Sequence, residues 1–81
     1  MNRYTLFCHP QHVDSKKAER LLHRYNLQFH LSDVTTNGIS SYIFKDMGIS
    51  ELPALCIFSG YKYKLYEGLG EIQDFVKQRV R

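Results

Sequence analysis

The stretch "MGISELPALCIFSGYKYKLYEG", residues Met47 to Gly68, decides the architecture. Gly48 follows Ile39, Tyr42, Ile43 and Met47, whose spacing predicts a short helix, and a glycine fits the left-handed cap at such an end. "ELPALCIF" (Glu51 to Phe58) then reads as a strand. Pro53 stands at its entry rather than inside it, where a missing backbone donor is tolerated. Ser59-Gly60 turns the chain into "YKYKLYEG", a further strand rich in β-formers. A helix end, a proline-led strand, a tight turn and an antiparallel return therefore follow one another within 22 residues.

Outward from this hairpin the periods stay legible. "EIQDFVKQRV" sets Ile72, Phe75 and Val76 on one face of a closing helix. Upstream, "RYTLFC" (Arg3 to Cys8) is a short strand closed by His9, Pro10 and Gln11. From Asp14 the period becomes helical, with Ala18, Leu21, Leu22 and Tyr25 on one face and a stop near Asn26. Asp14 and Ser15 suit the first turn, where free N–H groups favour acceptors. "LQFHLSDV" alternates Leu27, Phe29 and Leu31 against Gln28, His30 and Ser32, which predicts a strand with an apolar side and a polar side. The expected order is β-α-β-α-β-β-α in a single domain over residues 1–81: α/β, a four-stranded mixed sheet flanked by three helices.

That order, the proline opening the third strand and the glycine closing the fourth resemble the thioredoxin/glutaredoxin superfamily. The resemblance spans essentially the whole chain and is strongest over Met47 to Gly68. It implies a cis peptide at Leu52–Pro53. In that superfamily a Cys-x-x-Cys pair opens the first helix; laying "YTLFCHPQHVDSKKAERLL" over such a start places His12 and Ser15 at the two thiol positions. The same stretch resembles, more weakly, the N-terminal domain of glutathione transferases.

Thiol-disulfide exchange needs an attacking thiolate and, in the dithiol route, a resolving thiol. Neither imidazole nor hydroxyl supplies one, so the motif-based mechanism is absent. Cys8 and Cys56 remain as fallback thiols, and because first and third strands adjoin in this fold, the two could approach one another. The blander reading is two buried small hydrophobes. "CHPQH" offers Cys8, His9 and His12 as metal ligands, but the spacing matches no four-ligand site and no metal is expected. For glutathione, the resemblance implies an anchor near "YEGLGE". Gly68 fits it, but the expected Asp falls at Gly70 or Glu71; of the transferases' Glu-Ser pair only Glu67 matches.

Net charge is +3, from eleven Lys and Arg against eight Asp and Glu, too mild for a dedicated nucleic-acid binder. Lys16, Arg20 and Arg24 share a stripe on the first helix that reads as a solvated face. In "YKYKLY" strand alternation parts the tyrosines from the lysines, which disfavours a nucleic-acid platform. No apolar run approaches a membrane span, and two buried thiols suit the reducing cytoplasm.

The resemblance thus implies a redox-inactive thioredoxin-like module that takes a protein partner, or a second copy of itself, in a groove of His12, Val13, Leu52, Pro53, Gly68 and Leu69, with no cofactor. The alternatives are a divergent oxidoreductase using Cys8, with or without Cys56, and a glutathione-binding domain.

Overall fold

The computed structural model describes residues 2–35 and 45–79 of the chain. Strands β1 (Asn2–Cys8), β2 (His30–Asp33), β3 (Ala54–Ser59) and β4 (Lys62–Glu67) form one mixed sheet in the order β2-β1-β3-β4. β1 and β2 run parallel; β3 is antiparallel to both β1 and β4. Helices α1 (Val13–Arg24) and α2 (Gly68–Arg79) pack on one face. The helix expected around Ile39–Met47 lies largely outside the described residues; within them Lys45 and Asp46 are helical and Gly48 follows at φ +68°. The described residues thus hold two of the three expected helices.

The sheet's pleat divides the core into two layers. Leu6, Leu55 and Ile57 meet Ala18 and Leu22 of α1 and Ile72 and Val76 of α2. On the opposite face lie Phe7, Ala54, Cys56 and Ile49. Complete burial of each leucine or isoleucine contributes about 1.5–3 kcal/mol, so these layers dominate the fold's stability. Phe75 ties α2 to the sheet, with ring centroids 4.8 Å from Tyr66 and 6.3 Å from Tyr4. Below it Arg79 Nη1 donates to the Tyr4 hydroxyl at 2.8 Å.

Two expectations need correcting. The second strand begins at His30, not Leu27, because α1 ends in a Schellman turn. Asn26 adopts φ 57° and its N–H donates to His23 O; Leu27 N–H donates to Leu22 O, and its side chain folds back onto the core. Leu27 therefore belongs to the helix ending, although it extends the strand's alternation. Burial along β2 also runs against its apolar and polar sides: Leu31 is 44% exposed and Ser32 is buried. Leu31 pairs with Leu6 and so faces the helix side, but β2 is the sheet's edge and its neighbour β1 already carries α1. Ser32 pairs with the buried Phe7 on the other face.

No helix among the described residues is long and apolar enough to cross a membrane.

Candidate functional site

The turn between β1 and α1 is built by three polar residues acting on one another. His12 is the N-cap of α1, extended at φ −85°, ψ 123°, and its carbonyl accepts the Lys16 N–H at 3.2 Å. Its N–H donates to His9 O at 3.0 Å, closing the turn. Three residues on, one helical turn later, Ser15 Oγ comes within 3.1 Å of His12 Nδ1. The same oxygen accepts the His9 N–H at 3.2 Å. Ser15 thus pins strand end, turn and helix start together.

A serine within hydrogen-bond reach of an imidazole has the outward form of a nucleophile with its base. Ser15, however, is only 2% exposed, and its oxygen is engaged with both His12 and the His9 N–H. His9 is likewise committed. Its Nδ1 accepts the Gln11 N–H at 3.1 Å, so the neutral ring carries its hydrogen on Nε2 and has no lone pair there for a metal. Among the described residues no group of three His, Cys, Asp or Glu side chains is placed to hold an ion.

The surroundings of both fallback thiols disfavour the thiolate. Burial, followed by the negative charges of Glu19 and Asp33, pushes the Cys8 thiol up to about 11; burial alone pushes Cys56 to about 11. So raised a pKa favours the protonated thiol at neutral pH, and the thiolate is the attacking species. Nor can the pair form a disulfide, which corrects the expectation that they could approach. Cys56 lies opposite Thr5, three residues before Cys8 on β1. An odd offset sends the two side chains to opposite faces of the sheet. Three residues also span about 10 Å along a strand, beyond the roughly 7 Å limit between bridged Cα atoms. Cys8 Sγ instead lies 3.8 Å from Ser32 O, and both thiols are free and buried.

Across from His12 stands the loop leading into β3. The Leu52–Pro53 peptide is cis. Pro53 O accepts the Gly68 N–H at 2.7 Å, which joins the β3 entry to the start of α2. Gly68 sits at φ +87°, a region that side chains with a Cβ avoid, and a Cβ there would stand 3.0 Å from Glu51 Oε1. Glu67 supplies the strongest tie. Its Oε1 accepts the Ser50 N–H at 2.8 Å, the Ser50 hydroxyl at 3.2 Å and the Glu51 N–H at 3.2 Å. Glu71 Oε1 in turn accepts the Glu67 N–H at 3.3 Å. Sequence reasoning missed this clamp, because 17 residues separate Ser50 from Glu67 and the motif match at Glu67 pointed to a ligand rather than to Ser50.

The six groove residues do not share one surface. His12 and Leu52 line a shallow open depression together with His9, Gln11, Asp14 and Glu51. Val13, next to His12, is 64% exposed. Pro53 and Gly68 are buried and support the depression through their mutual hydrogen bond. Leu69 lies elsewhere, with Leu21 between α1 and α2. The expected apolar rim of Val13, Leu52 and Leu69 is therefore replaced by a polar depression with Leu52 as its apolar member.

No family model matches the chain, and no curated protein matches it. Solved structures do. An omega-class glutathione transferase from Trametes versicolor, in complex with 2,4-dihydroxybenzophenone, superposes with a TM-score of 0.77 at 11% identity. That likeness covers 98% of this chain but 36% of the transferase, so the chain spans about a third of its length. Thioredoxin O2 from Arabidopsis thaliana, in its oxidized state, gives a TM-score of 0.70 at 16% identity, over 100% of this chain and 76% of that one. Mitochondrial thioredoxin 3 from Saccharomyces cerevisiae gives 0.69 at 15% identity, over 95% and 77%. The sheet order, the two helices packed on one of its faces and these superpositions establish that the chain has a thioredoxin-like fold.

Proposed function

We propose that this chain is a redox-inactive thioredoxin-like domain that binds a polypeptide partner at the depression between His12 and Leu52. The observation that carries the reading is the buried Ser15 hydroxyl bonded to His12, an arrangement with no electron carrier at the mouth of α1. Both cysteines are free, buried and on opposite faces of the sheet, which suits work in a reducing compartment such as the cytoplasm. Binding is supported by the backbone. Among the described residues no partner is present for the N–H and C=O of Leu52, beside the depression. Such groups can pair with an extended segment by strand addition.

Glutathione forms no part of this reading. The Glu67 carboxylate is turned onto Ser50 and Glu51, Gly68 lacks the hydroxyl of a Glu-Ser pair and gives its N–H to Pro53, and Glu71 caps Glu67.

Native-state alkylation with iodoacetamide, read by mass spectrometry beside an insulin-reduction assay, tests the redox half. Neither thiol is expected to label until the protein unfolds, and no turnover is expected; fast labelling with turnover refutes it. Hydrogen exchange tests the binding half. Proteins captured from native lysate should slow exchange at Ser50–Leu52 and His9–His12, and unchanged exchange there removes the assignment.

A further inference from the structure

Leu69, displaced from the depression, marks a second surface. A shallow groove runs between α1 and α2, lined by Lys17, Arg20, Leu21, Arg24, Leu69 and Gln73. Leu21 and Leu69 are half-buried against the core and form an apolar floor. Lys17, Arg20 and Arg24 are exposed and stand at i, i+3 and i+7, on one side of α1. Like charges at these spacings repel and destabilise a helix. Among the described residues the ion pair joins His23 to Glu19, and no carboxylate lies within 4.0 Å of Lys17, Arg20 or Arg24.

We infer that the groove between α1 and α2 docks an acidic amphipathic helix of a protein partner, with its apolar side chains on Leu21 and Leu69 and its carboxylates against Lys17, Arg20 and Arg24. Four observations select this occupant. The three cations extend about 10 Å along α1, two turns of a partner helix. A floor of two leucines between packed helices matches the helix-in-groove mode, in which anchors recur every three or four residues. The groove holds no aromatic ring on which a base could stack, so single-stranded nucleic acid gains only phosphate contacts there. Leu21 and Leu69 are recessed rather than protruding, which denies a membrane its apolar insertion.

The inference is independent of the first reading, and its test separates them. The full chain, labelled with nitrogen-15, is titrated with a synthetic 15-residue helical peptide carrying leucines at i, i+3 and i+7 flanked by glutamates. Shift changes are expected at Lys17, Arg20, Leu21, Arg24, Leu69 and Gln73, with affinity falling as salt rises. The double variant Arg20→Glu/Arg24→Glu should weaken binding by about tenfold or more, and Arg20→Gln/Arg24→Gln by less, both with the folded spectrum retained. A peptide with lysine for glutamate should not bind. No perturbation of the groove overturns the inference, as does affinity indifferent to both variants. Perturbation of the groove at lower concentration by oligothymidylate, or by phosphatidylcholine vesicles containing phosphatidylserine, also overturns it. Shifts confined to His12 and Leu52 overturn it too, while leaving the depression's assignment intact.

Discussion

Replacing Glu67 by alanine removes the acceptor of three hydrogen bonds that hold the loop before Pro53. A hydrogen bond to a charged group contributes roughly 1.5–3 kcal/mol when shielded, but this carboxylate and its donors are open to water. Water therefore takes over the freed N–H groups of Ser50 and Glu51, and no buried donor is orphaned. The expected loss is about 1–2 kcal/mol for the set rather than for each bond. For a domain of this size that lowers the thermal midpoint by about 5–15 °C. Glu67→Gln keeps an oxygen acceptor while losing the charge, and it should retain at least half of the stability. Urea denaturation measures the difference, and amide exchange locates it: protection should fall at Ser50, Glu51 and Gly68 while β1 and β3 keep theirs. A Glu67→Ala protein with the wild-type midpoint and unchanged exchange at Ser50 would refute the clamp.

Ser15→Ala should cost about 1–2 kcal/mol, read as a lower urea midpoint, because the half-buried His9 N–H loses its acceptor. Gly68→Ala should cost about 1–2 kcal/mol for the positive φ; the Glu51 carboxylate, at the end of a flexible side chain, can yield to the new methyl. A thiol whose pKa is higher in the folded state binds its proton more tightly there, so its contribution is complete below about 9 and is lost between about 9 and 11. Stability should therefore fall steeply over that window, by on the order of 2–3 kcal/mol per thiol, and Cys8→Ala and Cys56→Ala should each flatten the fall in a urea series.

What was legible in the sequence was what local spacing determines. The hairpin from Ala54 to Glu67 and the faces of α1 and α2 follow from periods of two and 3.6 residues. So does the meeting of His12 with Ser15, since residues three apart share a helical face. Contacts joining distant segments were not legible. Glu67 reads as a candidate ligand anchor until the fold brings Ser50 to it. Leu69 opens α2 as an apolar residue with no stated direction, and the rotation of that helix turns it toward α1 rather than toward Leu52. Leu31 obeys its alternation yet stays exposed, because exposure on an edge strand depends on which neighbour carries the helix. The cysteines were legible as buried, but their opposite faces needed the register of β1 against β3.

The two polar networks have one physical consequence in common. On one wall of the depression Ser15 holds the His9–His12 turn; on the other Glu67 holds Ser50 and Glu51. Oxygen serves the first task better than sulfur would, because a hydroxyl accepts a backbone N–H far more strongly than a thiol does. A cysteine at residue 15 would loosen the turn in exchange for reactivity. On the proposed reading the serine would work against redox chemistry twice, by lacking a thiolate and by fixing the His12 imidazole. Walls fixed in advance lower the ordering cost of an incoming chain, which is where affinity in a shallow polar site must come from, since little apolar area is available to bury. Loosening either wall, by Ser15→Ala or Glu67→Ala, should thus weaken partner binding even though neither side chain need touch the partner. If both variants bind as tightly as the wild type at a temperature where all three are folded, rigidity of the walls is not what the site uses.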